Sequence, residues 1–274
     1  MPRSPRPGSP FAVAALLGLL WTGTAAAQPA AEGSGPAGGA PRLARADSLF
    51  DAGLVARSLA LLEADLAVAP NDFDARWRAA RAAWSLGILA SGTEVENAWY
   101  RRAIAHADRA LSAHPDAVES LRWAVASKGS LAVQTGAREA GRLAAEVRGL
   151  AERLLELRPA DASAHYALAK LEYELLALSP ARRVLARMLF SGDRLDEASW
   201  PHALELARRA VELDPGSPLF RLGLADILWH MGRRDEAGAQ FEAARDLPLR
   251  TPVDRDFRAR ARLQLRRIQE GRDP

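Results

Sequence analysis

The sequence has no cysteine among its 274 residues. Disulfides, thiolate ligands at a metal site and a lipid-modified cysteine are therefore excluded. Lysine is almost absent too, because 35 of the 37 basic side chains are arginine. We interpret this skew as a bias of genomic composition rather than as a sign of function.

Motifs for catalysis and metal binding are also missing. None of the five histidines begins an HExxH motif, and neither a GxSxG elbow nor a phosphate-binding GK[ST] loop occurs. The glycine-rich stretch GSGPAGG lies in a segment of low complexity and is typical of a flexible linker. The sequence therefore predicts neither an enzyme nor a metal site, and no cofactor.

Charge is close to balanced. The formal net charge is +3, and two of the positive charges, Arg3 and Arg6, lie in a segment that we expect to be removed. No block of basic residues has the size that nucleic-acid binding requires. Nucleic acid is therefore not a predicted partner.

The first 27 residues have a basic start, an apolar run from Phe11 to Trp21 and small residues before Gln28. This order is typical of a secretory signal peptide cleaved before Gln28, which predicts a periplasmic or secreted protein. Eleven apolar residues are too few to span a bilayer comfortably, although an inner-membrane anchor formed by residues 11–27 is the alternative. Residues 28–41 are rich in proline, glycine and alanine and are expected to form a flexible linker.

A pattern of two helices followed by proline repeats five times from Arg42 onward. Proline ends a helix because it lacks a backbone N–H and clashes with the preceding turn. Small residues such as Ala203, Ala207 and Ala210 recur on one face of the second helix, where they let a neighbouring helix approach closely. The last interval between prolines is 33 residues, close to one tetratricopeptide repeat, whereas the earlier intervals of 45, 44 and 56 residues indicate insertions. The closing prolines are Pro70, Pro115, Pro159, Pro215 and Pro248.

We therefore predict an all-α fold, a tetratricopeptide-type solenoid of about five helical hairpins, over residues 42–252. Residues 253–274 carry an apolar stripe from Phe257 to Ile268 with arginines on the other faces. We interpret them as a helix that caps the stack; the alternative is an amphipathic helix that touches an anionic membrane. The predicted repeats are 42–70, 73–115, 118–159, 162–215 and 218–248.

Residues 164–215 read AHYALAKLEYELLALSPARRVLARMLFSGDRLDEASWPHALELARRAVELDP. The AHY opening, the LS and LF segments and the second helix ending in proline resemble the regulator of microtubule dynamics family. The stretches NDFDARWRAARAAWSLG and HPDAVESLRWAVASKGSLA also fit, so that the resemblance covers roughly residues 43–270, with departures at Ala169, Leu171 and Pro180. It implies the tetratricopeptide fold. Animal members associate with microtubules and some are membrane-anchored tethers implicated in lipid handling, but an exported bacterial chain would meet no microtubules, so the fold is carried over and the partner is not.

The first helix of each tetratricopeptide hairpin lines the concave groove, so its aromatic and basic side chains are the candidates for binding a partner. Trp77, Arg81 and Trp84 follow one another at i, i+4 and i+7, which places them on one face. Aromatic rings beside basic groups are the residue types that anchor binding. The alternative is that the insertions fold over the groove and the rings are core. The candidate groove residues are Trp77, Arg81, Trp84, Arg122, Tyr166, Lys170, Tyr173 and Trp229.

Two functions remain open from the sequence. The first is a non-enzymatic scaffold in the cell envelope that binds a protein or peptide partner in its concave groove. The alternative is a carrier that holds a lipid-like or apolar ligand in a covered groove. An open, charged and aromatic groove would favour the scaffold, whereas a closed apolar tunnel would favour the carrier. Membrane contact is expected only through the N-terminal segment or the arginine-rich C-terminal helix.

Overall fold

The computed structural model describes residues 39–179 and 198–273. Every secondary-structure element in these two ranges is an α-helix, and neighbouring helices pack pairwise along the chain. The predicted all-α solenoid is therefore confirmed, and the two described ranges contain five hairpins and a final single helix. The helices are α1 Gly39–Asp51, α2 Val55–Val68, α3 Phe73–Leu89, α4 Thr93–Ala113, α5 Val118–Ala132, α6 Ala137–Leu157, α7 Ala162–Ala177, α8 Trp200–Leu213, α9 Pro218–His230, α10 Arg234–Asp246 and α11 Asp254–Gln269.

The N-terminal boundary differs slightly from the expected one. Helix α1 begins at Gly39, so the last three residues of the linker expected over 28–41 are helical. The signal peptide expected over residues 1–27 lies outside the described residues.

Each second helix ends two residues before its proline, as α4 does at Ala113 before Pro115. The residue between them leaves the helical region, as His114 does with φ −135° and ψ 79°, because a following proline disfavours the helical conformation. Three of the next helices then begin with a side-chain cap. Asp72, Asp161 and Ser217 each accept a hydrogen bond from a backbone N–H of the first turn.

The insertions of the second and third units lengthen helices. Helices α4 and α6 have 21 residues each, whereas α2 and α10 have 14 and 13. Most of the extra residues of these units therefore add turns to the second helix instead of forming a loop. The longer insertion of the fourth unit lies between α7 and α8, and most of it falls outside the described residues.

The small residues predicted to lie between helices are buried. Ala203, Ala207 and Ala210 of α8 have no exposed surface, and Phe241 of α10 is equally buried in the same continuous core. Close approach of helices at alanine brings the larger side chains of the neighbouring turns into contact. The helical period read from the sequence is therefore confirmed at these positions.

Polar contacts join consecutive units. Arg102 of α4 donates to Glu63 of α2 at 2.6 Å, and Arg250, after α10, donates to Asp214 at the end of α8 at 2.9 Å. The partners are 39 and 36 residues apart, about the length of one unit. Because Arg102 is largely exposed, its pair contributes at most about 1 kcal/mol. Such pairs help to set the angle between units, while the core supplies most of the stability.

Helix α11 caps the last hairpin, as predicted, with Phe257 and Ala261 buried against α9 and α10. Helix α11 also extends to the second unit, which the sequence does not indicate. Arg260 lines a small cavity together with Ile88 of α3 and Tyr100 of α4. Because Ile88 lies four residues beyond Trp84, α11 borders the face of α3 that carries the predicted groove residues.

Gly223 of α9 lies against the ring of Tyr166 of α7, where a Cβ would overlap the ring atom Cε2. Gly223→Ala should therefore lower the free energy of unfolding by about 1–3 kcal/mol in urea denaturation, because the ring or the helix must move. Gly238→Ala in α10 is the matched control. A Cβ there meets no atom within 4 Å, so this variant should be more stable by about 0.5–1 kcal/mol. Equal effects of the two substitutions would contradict the close contact.

Candidate partner-binding face

The predicted residues share one face of the first helices, here called the groove face. It carries the positions seven, eleven and fourteen residues after each closing proline. In the second unit these are Trp77, Arg81 and Trp84, and the fourth and fifth units repeat the arrangement. The corresponding residues are Tyr166, Lys170 and Tyr173 on α7 and Leu222, Asp226 and Trp229 on α9.

Arg81 is tied to the first unit. Its Nη2 donates to Asp47 Oδ1 at 2.5 Å, and its guanidinium lies 4.0 Å from the centre of the Phe50 ring. Arg78 donates to the other oxygen of Asp47, and Trp77 packs beneath Arg78 at 4.2 Å. Burial lowers the pKa of Arg81, and Asp47 partly offsets this effect. The charge of Arg81 is therefore used within the chain.

Two indole rings pack against each other where α3 meets α5. Trp84 is 1% exposed, lies 5.8 Å from Trp123 of α5 and donates its Nε1 hydrogen to Ser130 Oγ at 3.0 Å. Arg122 donates through Nε to Asp161 at 2.7 Å. Because Asp161 caps α7, Arg122 fixes the start of the next unit.

The fourth unit repeats the arrangement of aromatic, basic and aromatic residues. Tyr166 packs on Phe220 with ring centres 5.0 Å apart. Lys170 Nζ lies 4.0 Å from the centre of the Tyr173 ring and pairs with Glu174 at 2.9 Å. The Lys170 side chain is only 4% exposed, so its ion pair is strongly shielded from solvent.

Three rings meet where α7, α8 and α9 converge. Tyr173 contacts His230 edge-on at 5.1 Å, and His230 stacks on Trp200 at 5.7 Å. His230 is exposed, and Trp200 and Asp226 are half-buried beside it. We call this group the α7–α9 cluster. It consists of Lys170, Tyr173, Glu174, Trp200, Asp226 and His230.

Asp226 has an unusual electrostatic position in this cluster. Burial raises its pKa from 3.8 to about 6, although Lys170 and His230 lower it and Glu174 raises it further. Burial also raises the pKa of Tyr173, and the negative charge of Asp226 raises it further. The ammonium group of Lys170 is already paired with Glu174, and Asp226 forms no ion pair with a residue of the described ranges.

Most of the predicted groove rings are buried, as the core interpretation of the sequence expects. Trp77, Trp84, Tyr166 and Tyr173 are each at most 6% exposed, whereas Trp229 is half-buried beside Arg234 at 5.0 Å. A fully open aromatic groove is therefore not what these residues form. Binding of a partner by the eight candidates stays a prediction, and solvent reaches this face mainly at the α7–α9 cluster.

Four members of the cluster, Glu174, Trp200, Asp226 and His230, are not among the eight candidates from the sequence. Glu174 follows Lys170 by four residues, and His230 follows Asp226 by four, the spacing at which helical side chains meet. That signal was present. Trp200 carries no such signal, because it enters from α8 after the long insertion and only the packing brings it to His230.

A separate cleft of about 400 Å³ opens between α4, α5 and α6. Lys128 lies in it and donates to Asp108 at 3.0 Å and to Glu146 at 2.7 Å. The cleft also contains Arg101, Arg142 and Glu139, so its acidic and basic groups balance. A lining of this kind gives no support to the apolar tunnel expected of a lipid carrier. Both lysines of the chain, Lys128 and Lys170, are thus buried in ion pairs.

Two kinds of feature are absent from the part of the chain that the structure describes. Within residues 39–179 and 198–273 no group of three or more histidines, aspartates or glutamates is arranged to hold a metal ion. In the same ranges none of the helices combines the length and the apolar character that crossing a bilayer needs.

The chain is similar to known proteins over nearly all of the described part. The model of the family described as "Regulator of microtubule dynamics protein 1-3" matches residues 42–269. Regulator of microtubule dynamics protein 3 of rat (Rattus norvegicus) is 25% identical over 185 residues, which are 67% of this chain but 39% of the rat protein. The crystal structure of a thermophilic tetratricopeptide protein from Thermus thermophilus has a TM-score of 0.56 and 21% identity, and covers 82% of this chain and 97% of its own. At that identity the structural match establishes the fold alone.

Proposed function

Because the chain belongs to the regulator of microtubule dynamics family, we propose that it is a non-enzymatic scaffold that binds a partner protein on its groove face. Its tetratricopeptide-type fold is one that suggests protein interaction. The chain spans about two-fifths of the rat relative, so the activities of that whole protein are not transferred. The residues that support the proposal are those of the α7–α9 cluster.

The chemistry of the cluster fits a basic side chain of the partner. Asp226 and Glu174 supply carboxylates, and Tyr173, Trp200 and His230 surround them with rings. Both kinds of group stabilise a bound cation, because carboxylates attract its charge and the faces of aromatic rings are electron-rich. Lys170 offsets one carboxylate only. The half-buried Asp226 is therefore the group that a lysine or arginine of a partner would neutralise.

Site-specific photocrosslinking in the native host tests this proposal. A photoreactive benzoylphenylalanine at the exposed position His230 should capture a partner protein, which mass spectrometry identifies. The same group at exposed Ala145 of α6, on a second helix, is the control and should not capture it. Asp226→Asn should weaken capture from position 230 severalfold, because the neutral amide cannot balance a cation. Equal capture from positions 230 and 145, or capture indifferent to Asp226→Asn, would count against the groove face.

Export to the cell envelope is part of the proposal and is tested separately. The order of basic, apolar and small residues before Gln28 supports cleavage there. Edman sequencing of protein purified from the native host should then read from Gln28. Protein that begins at Met1 and stays with the membrane fraction would support the anchor formed by residues 11–27 instead.

A further inference from the structure

The outer side of α11 is a second surface with its own chemistry. Arg255, Arg262, Leu263 and Arg266 are exposed, and their spacings of seven, one and three residues place them on one side of the helix. We call these four residues the α11 basic face. It shares no residue with the α7–α9 cluster.

The arginines of this face have few partners within residues 39–179 and 198–273. Arg245 lowers the pKa of Asp246, and the charge of Arg262 adds to this effect. The side chains of Arg255, Arg262 and Arg266 make no hydrogen bond or ion pair with a residue of ranges 39–179 and 198–273. Two other arginines of the same helix are committed, since Arg258 donates to the Arg245 carbonyl at 2.9 Å and Arg260 pairs with Asp256 at 2.8 Å. Most of the charge on the outer side is thus unpaired within the described part of the chain.

The balance of charge in the repeats makes the contrast clear. There most arginines meet a carboxylate or a carbonyl, as Arg153 does with Asp116 and Glu156. Helix α11 instead carries six arginines against two aspartates. Unpaired positive charge concentrated on one end of a nearly neutral chain attracts an acidic partner over a distance of about one Debye length.

Leu263 decides between the acidic partners. It is 47% exposed and lies between Arg262 and Arg266 along the helix, while Phe257 and Ala261 of the same helix face the repeats. A helix that enters a membrane needs several large apolar side chains on its outer side, and α11 offers one. A single apolar contact beside a line of cations suits a protein segment that has an apolar residue beside acidic ones.

We propose that the α11 basic face docks an acidic protein segment that carries an apolar side chain beside its acidic ones. The surface is distinct from the groove face, so the protein holds two partners or two parts of one partner. Its loss would leave binding at the α7–α9 cluster intact.

Fluorescence anisotropy with a labelled synthetic peptide of glutamate, aspartate and leucine tests the proposal. The triple variant Arg255→Gln, Arg262→Gln, Arg266→Gln should bind the peptide about tenfold more weakly than the wild type. The control triple variant Arg45→Gln, Arg57→Gln, Arg138→Gln removes the same charge from exposed positions elsewhere and should change the affinity less than about threefold. Leu263→Ala should also weaken binding of this peptide, but not of one in which alanine replaces leucine.

Three outcomes would overturn the proposal. If the two triple variants lose equal affinity for the peptide, the net charge of the chain alone attracts it. Peptide binding that is unchanged in Leu263→Ala would show that Leu263 makes no contact with the peptide. Sedimentation with vesicles of phosphatidylcholine and phosphatidylglycerol that depends on the α11 basic face, without peptide binding, would assign the face to a membrane. Because all substituted side chains are exposed, circular dichroism and Tm should be unchanged in every variant.

Discussion

Replacing Arg81 by glutamate should lower the free energy of unfolding by about 3–5 kcal/mol, and at the upper end of this range the first two units unfold at 37 °C. The Arg81 side chain is only 12% exposed, and its partner Asp47 would face a second carboxylate instead of a guanidinium. The ring contact with Phe50 at 4.0 Å would be lost as well. Urea denaturation followed by circular dichroism measures the change.

Two further variants separate the cause of this loss. Arg57→Glu makes the same change at an exposed position in the first turn of α2 and should alter stability by no more than about 0.5 kcal/mol. Arg81→Met combined with Asp47→Asn removes both charges and should recover much of the loss, because no uncompensated carboxylate remains. If Arg81→Glu unfolds at the same urea concentration as the wild type, Arg81 is open to solvent and free for a partner.

Asp226→Asn should do the opposite and raise the free energy of unfolding at pH 7 by on the order of 1–3 kcal/mol. The pKa of Asp226 is about 6 in the folded chain against 3.8 in the unfolded chain, so the folded state binds this proton more tightly. The stability that comes from protonation is therefore complete below pH 3.8 and is lost as the pH rises through about 6. Asparagine resembles the protonated form at every pH.

The difference between variant and wild type is the quantity to measure. It should be small at about pH 4 and grow to its full value by about pH 7, while other carboxylates titrate equally in both proteins. A difference that does not vary with pH would show that Asp226 does not titrate in this range. Combined with weaker partner capture, a gain in stability would mark Asp226 as a residue kept for binding at the expense of folding.

Binding of a basic partner should follow the same titration. Asp226 is ionised mainly above pH 6, so capture at the α7–α9 cluster should decline as the pH falls from about 7 to about 5. Asp226→Asn should remove most of this dependence. His230 lies on the same helix and its charge acts on Asp226, so His230→Gln is needed to separate the contributions of the two groups.

The repeat architecture could be predicted from the sequence because its signals are local. A proline fixes the end of a helix within one turn, and an alanine such as Ala207 marks a close helix contact wherever the neighbour lies. The period of a helix also assigns Trp77, Arg81 and Trp84 to one side, and binding of a partner by that side stays a prediction. The family resemblance rested on the same local patterns and is confirmed over residues 42–269.

What covers that face could not be read in the same way. Asp47 meets Arg81 across 34 residues, and α11 returns to Ile88 and Tyr100 from the far end of the chain. Neither contact has a fixed spacing, because insertions change the length of each unit and the curvature of the whole stack decides which units meet.

The sequence by itself determined the helices, their order and the face that each turns toward its neighbours, since these depend on residues within a few turns of one another. The tertiary structure alone decided that Arg81 and Trp84 are enclosed, whereas Asp226 and His230 stay within reach of solvent. Exposure and pKa depend on all the atoms packed around a group, and these come from several units at once. For that reason the same helical position holds a largely enclosed ion pair in the second unit and a half-buried carboxylate in the fifth.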